Sequence, residues 1–369
     1  MKIKRFVSLT LSLIFLLALV SLPGLAAQEK AQKQPERVRI PKEIKEMLAQ
    51  GLATRQGRQD IPFTIFMNYF FPTQVPGNMS TILLFRAKNA DLGYMPAQAA
   101  PAAAQPQAQA QAQVQPPPAQ AAAAPAQLQA RLHGFLEFHN IKDGQPGAAA
   151  QEVYIPITVA EDAATYNPDL EDWYSAWAIL PGGQYVLAMA LASPDLKKVG
   201  VAYYEFTIPA LKDLEAALDT TPVFIVKKAE QTQTPVTRAE VFKGFFGYSV
   251  LQIVPNLDNV IPSGEAMEIF FFIFGGKLKD PANPQSFEIE IQYEVREGDK
   301  AVLMWPAQTY AYPLVSQPLP LIQTVKITDD KGERTEQRNL AAGKYVLVIK
   351  INDKVSGLKS EKTLAFEVK

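Results

Sequence analysis

The sequence of 369 residues predicts an all-β protein: two tandem antiparallel β-sandwiches, a short N-terminal helix and a disordered insertion. Three observations carry this. Apolar and polar residues alternate with period two, as in Phe287, Ile289, Ile291, Tyr293 and Val295 against Glu288, Glu290, Gln292 and Glu294, the pattern of a strand with one wet face. Short strand-like runs are separated by Gly, Pro and Asp turns. One turn-and-strand motif also recurs at a fixed interval.

Taken in order, the chain opens on a leader. Lys2, Lys4 and Arg5 precede an apolar run from Phe6 to Leu22, which Pro23 and Gly24 break before the small residues Ala26 and Ala27. This is the pattern of a signal peptide over residues 1–27, cleaved after Ala27. Cleavage leaves 33 basic against 37 acidic side chains, a net charge of −4, with no overall basic field for nucleic acid. No later run is long and apolar enough to span a bilayer. The expected location is therefore exported, periplasmic or extracellular in a bacterium. The chain has no cysteine, so packing alone, without disulfides, must hold an exported fold.

Residues 28–60 are polar, with Ile44, Met47, Leu48 and Leu52 at helical spacing after Pro41, which predicts one short amphipathic helix. The first sandwich is expected over 61–212 and the second over 221–369. A leucine stripe (Leu211, Leu214, Leu218) marks a connecting helix between them. Within the first sandwich, residues 96–130 form an Ala/Gln/Pro tract containing Pro116, Pro117 and Pro118 and no aromatic or acidic residue. Such a composition cannot bury enough surface to offset the entropy of ordering, so the tract reads as a disordered insertion.

The repeat is the strongest signal. Leu180-Pro-Gly-Gly183-Gln-Tyr185-Val-Leu matches Leu340-Ala-Ala-Gly343-Lys-Tyr345-Val-Leu, an offset of 160 residues that also carries Phe206 onto Phe366. Upstream, Val75-Pro-Gly77 before Ile82–Phe85 matches Ile261-Pro-Ser-Gly264 before Ile269–Phe272, and Leu132–Phe138 matches Phe287–Tyr293. The offsets of the upstream matches differ by about the length of the Ala/Gln/Pro tract. The tract is thus an insertion in one hairpin, where added length costs little closure entropy.

The C-terminal copy, through Ile253-Val-Pro-Asn256, Ile261-Pro-Ser-Gly-Glu265, Gly343-Lys-Tyr345-Val-Leu and Phe366-Glu-Val, resembles the β-sandwich regions of secreted bacterial proteins of the GWxTD and von Willebrand A-related groups. The defining Gly-Trp-x-Thr-Asp and Asp-x-Ser-x-Ser motifs are absent. The resemblance implies immunoglobulin-like modules in an exported protein and carries no catalytic residue across.

Side chains able to do chemistry are few. The two histidines, His133 and His139, would share one strand face about 20 Å apart at ~3.3 Å per residue, too far to bind one metal. With Leu132, Leu136 and Phe138 turned inward, both are expected in solvent. No phosphate loop, dinucleotide fingerprint, nucleophile elbow or His-Glu-x-x-His motif occurs. Asp169, Glu171, Asp172, Asp280 and Asn283 lie in loops without calcium-loop spacing and read as turn residues. Trp173 and Trp177 would share a strand face that Tyr174 opposes. If exposed they could stack on a sugar or peptide; if buried they are core.

The functional expectation is a non-catalytic structural or interaction protein with no cofactor and no metal, acting on an unknown protein or an envelope polysaccharide. Two alternatives stand beside it: a carbohydrate- or envelope-binding module using Trp173 and Trp177, and a hydrolase built on paired carboxylates.

Overall fold

The computed structural model describes residues 39–97, 127–233, 239–329 and 332–369. The leader and most of the Ala/Gln/Pro tract lie outside the described residues.

The fold is all-β. After helix α1 (Lys42–Gln50), the first half of the chain contributes β1 (Phe63–Pro72), β2 (Asn78–Lys88), β3 (Met95–Pro96), β4 (Gln127–Lys142), β5 (Gln145–Asp162), β6 (Glu171–Pro181), β7 (Gly183–Ala192) and β8 (Val199–Ile208). The short helix α2 (Leu211–Ala216) leads to β9 (Asp219–Thr220), β10 (Phe224–Gln231), β11 (Phe242–Lys243), β12 (Phe246–Tyr248), β13 (Leu251–Pro255) and β14 (Val260–Ile261). Then follow β15 (Ala266–Phe274), β16 (Ile289–Glu297), β17 (Lys300–Met304), β18 (Gln308–Tyr310), β19 (Leu314–Pro320), β20 (Ile322–Asp329), β21 (Gly332–Asn339), β22 (Gly343–Asp353) and β23 (Lys359–Val368). No helix among the described residues is long and apolar enough to cross a membrane.

Both halves are wound the same way. In the first, β1-β2-β6 faces β5-β4-β7-β8; in the second, β10-β15-β19 faces β17-β16-β22-β23. The strands of each sheet alternate in order along the chain as an immunoglobulin-type sandwich requires. Inward residues of the two layers make one core per sandwich. Leu83, Phe85, Leu136, Phe138, Leu187 and Met189 are in the first. Ile269, Phe271, Ile291, Tyr293, Leu347 and Ile349 are in the second. The hairpin β20–β21 is inserted before β22 and has no counterpart in the first half.

The repeated motif is a corner. Gly183 pairs with Ile208 and Tyr185 with Phe206; Gly343 pairs with Val368 and Tyr345 with Phe366. In each copy the tyrosine ring packs on the glycine two residues earlier, its nearest atom 3.3 Å from where a Cβ would stand. The hydroxyl donates to the carbonyl four residues back, Tyr185 to Pro181 and Tyr345 to Ala341, both at 2.9 Å. A tyrosine at this corner, bonded back to the upstream backbone, marks immunoglobulin-type sandwiches.

Two boundaries differ from the sequence reading. Residues 127–130 of the expected insertion belong to β4, and Ala130 is buried. Met95 and Pro96 pair with Gln129 and Leu128, and Ala97 N–H bonds Gln127 O at 2.8 Å, so the described ends of the tract are hydrogen-bonded together. Secondly, β11, inside the expected second sandwich, pairs with β6 of the first. The equivalent edge strand of the second sandwich, β19, carries Pro318 and Pro320, which lack the N–H that another strand would need.

Replacing either corner tyrosine by Phe leaves a carbonyl without its donor, a loss of about 1–2 kcal/mol. Urea unfolding of Tyr185→Phe and Tyr345→Phe is expected to show similar losses. A variant indistinguishable from the parent would show that its corner bond contributes nothing.

Candidate functional site

The tryptophans lie where the sandwiches meet. Sheet β1-β2-β6 is covered on both faces. Its inner face meets the first core, and its outer face, through Tyr69, Phe71, Ile82 and Leu84, packs on Phe224, Phe246, Ile253 and Phe270 from the second half. Ring centroids across this seam are 4.6 Å apart for Tyr69–Phe224 and 6.0 Å for Phe71–Phe246, within the range of favourable aromatic pairs. Trp173 and Trp177 are half-buried and pack against this cluster, while Tyr174 points into the first core. Trp177 Nε1 is buried without a hydrogen-bond partner in the protein. Trp173 is held from its backbone, with Gly244 N–H bonded to its carbonyl at 3.0 Å. It sits across from Arg86, whose guanidinium lies 4.3 Å over the Phe66 ring. The pair is thus a flank of the interdomain core, not a free platform with two open indole faces.

The histidines depart from expectation. His133 is half-buried, with Nδ1 2.9 Å from the Tyr154 hydroxyl. His139 is only 7% exposed. Their face of β4 is not wet, because α1 lies on it. Ile40, Ile44 and Leu48 pack onto Phe135, Ala188, Ala190, Ala192, Val199 and Val201, and the Tyr203 hydroxyl donates to Leu48 O at 2.7 Å. The alanines of β7 make room for the helix. Register shifts on both sides of His139 turn its ring so that Nδ1 lies 2.9 Å from Gly147 O and Nε2 3.4 Å from Glu137 Oε2. Glu137 is buried too.

The charges on this face balance across the helix seat. Glu137 stands opposite Glu152. Glu152 is neutralised by Lys45 of α1 at 2.6 Å, and Glu205 by Arg55 of the following turn at 2.6 Å. Glu137 Oε2 faces His139 Nε2 at 3.4 Å. Burial alone pulls the His139 pKa down, but the Glu137 carboxylate and the Gly147 carbonyl outweigh it, and the net shift is upward.

Of the acids the sequence reading placed in loops, Glu171 and Asp172 lie in strand β6 instead, where pairing with β2 extends the chain. Asp280 and Asn283 accept backbone N–H groups two residues on, both at 3.0 Å. Asp169 pairs with Lys88 at 2.8 Å. Asp172, together with Glu161, contacts Lys243. Among the described residues no group of three metal-ligating side chains converges.

Sequence reasoning missed the Glu137–His139 pair and Lys243. The first was within reach, since residues two apart on a strand share a face; its burial was not, because nothing local says where α1 docks. Neither a protein-family model nor a characterised protein sequence matches the chain.

A raised folded-state pKa means that the stability from His139 is fully present below its ordinary pKa and is lost as pH rises through the folded value. Going from mildly acidic to mildly alkaline buffer, the parent is expected to lose more stability than His139→Gln. Equal pH profiles in urea titrations would show that the pair is not coupled to folding.

Proposed function

We propose that the protein is an exported, non-catalytic structural or interaction protein that holds two immunoglobulin-like modules at one fixed geometry for a protein or envelope-polysaccharide partner. The observation that carries this reading is the aromatic seam. A flexible tether between modules needs no third core, whereas ten buried side chains here join the sheet β1-β2-β6 to the second half. Orientation is then a built property of the chain, which suits a spacer or a scaffold that presents both modules together. The export component rests on the leader pattern at residues 1–27.

Fractionation of a bacterial host tests it. The mature chain is expected outside the cytoplasmic membrane, beginning at Gln28, and co-sedimenting with envelope material. Phe246→Ala, which loosens the seam, is expected to reduce that retention several-fold while circular dichroism still shows the chain folded. Trp173→Ala, at the seam's flank, is expected to leave it nearly unchanged. Recovery in the cytoplasm with the leader intact contradicts the export reading. Retention lost only in Trp173→Ala favours the carbohydrate-binding alternative.

A further inference from the structure

Lys243 of β11 stands where it meets β5 and β6, two strands remote from it in sequence. β11 places it opposite Tyr174, an inward-facing residue of β6, so its side chain enters the open end of the first sandwich. There its Nζ contacts Glu161 Oε1 from β5 and, at 2.7 Å, Asp172 Oδ2 from β6. Glu161 belongs to one sheet of the sandwich; Asp172 and Lys243 belong to the other. The three side chains are 24, 19 and 18% exposed for Lys243, Glu161 and Asp172. The surroundings are aromatic. Tyr94 and Tyr166 have ring centroids 5.2 Å apart, and the buried hydroxyls of Tyr94 and Tyr174 lack hydrogen-bond partners of good geometry.

One amine between two carboxylates in a partly dehydrated pocket is more than a salt bridge needs. Burial lowers the Lys243 pKa, which favours the neutral, nucleophilic amine. Groups held in contact by a fold react with effective molarities up to about 10⁵–10⁸ M.

We propose that Lys243 and Glu161 become joined by an intramolecular amide bond, with Asp172 as the proton carrier. The neutral Lys243 amine attacks Glu161 Cδ, the carbon of the protonated carboxyl group. Asp172 takes a proton from nitrogen and delivers it to the departing oxygen. One C–N bond forms, one C–O bond breaks, and one water leaves. Overall, an ammonium and a carboxylate give an amide and water, with no oxidant, reductant or cofactor. The product ties the two sheets of the first sandwich together and pins β11, from the second half, to them. It closes a loop between positions 82 residues apart. In a chain without cysteine it constrains the unfolded state as a disulfide would.

Intact-mass measurement of the purified full-length product, followed by peptide mapping, tests the proposal. The parent is expected to be lighter than its linear sequence by one water and to yield a branched peptide joining positions 161 and 243. Glu161→Gln is expected to lose ammonia instead, since the same carbonyl is attacked. Lys243→Arg keeps the charge pairing but cannot form the amide, so it is expected at full mass while folded. Asp172→Ala is expected to remain largely unjoined. Linear peptides carrying unmodified Lys243 and Glu161 in the folded parent would overturn the proposal. A branched peptide joining 172 to 243, or full joining in Asp172→Ala, would overturn the assigned roles.

Discussion

Everything in this molecule depends on the sheet β1-β2-β6 being buried on both faces. A sheet with one wet face alternates; one with two dry faces reads as an unbroken apolar run, and Ile82-Leu83-Leu84-Phe85 is such a run. Leu83 and Phe85 fill the first core, while Ile82 and Leu84 fill the seam. The facing strands obey the same constraint, with Phe270 turned to the seam and Ile269 and Phe271 to the second core. Truncating a buried aromatic in such a core costs about 3–5 kcal/mol, a large part of the marginal stability of a domain.

One topology is thus used twice with different coverings. In the first sandwich the outer face of β4 and β7 accepts α1, its small alanines and apolar side chains fitting a helix. In the second, the corresponding face keeps its charges. Glu294, nearly buried, is held by Arg296 at 2.7 Å and Lys350 at 2.9 Å, and both partners lower its pKa. The sheet edges diverge likewise, β6 being covered by β11 and β19 carrying prolines. The two halves share the corner and the pairing order and differ in their surfaces.

What could be read from the sequence follows from how local each signal is. The Gly-x-Tyr corner is local, so Tyr185 and Tyr345 marked equivalent strands before any coordinates. The alternation of β16 is local, and its Ile289, Ile291, Tyr293 and Val295 are fully buried. The position of α1 is not local. Its apolar stripe announced a helix, but only tertiary packing puts that stripe over Phe135 and the alanines of β7. β11 was illegible for the same reason. A pair of residues, Phe242 and Lys243, has no strand pattern of its own and is extended because it completes the edge of another sheet. For Trp173 and Trp177, the shared face was legible from parity and the identity of the neighbour across that face was not.

The central claim is that the seam makes two sandwiches one folding unit, and differential scanning calorimetry of the full chain tests it most directly. The account predicts a single transition whose van't Hoff enthalpy equals the calorimetric enthalpy. Two resolved transitions, each with the enthalpy of one sandwich, would contradict it.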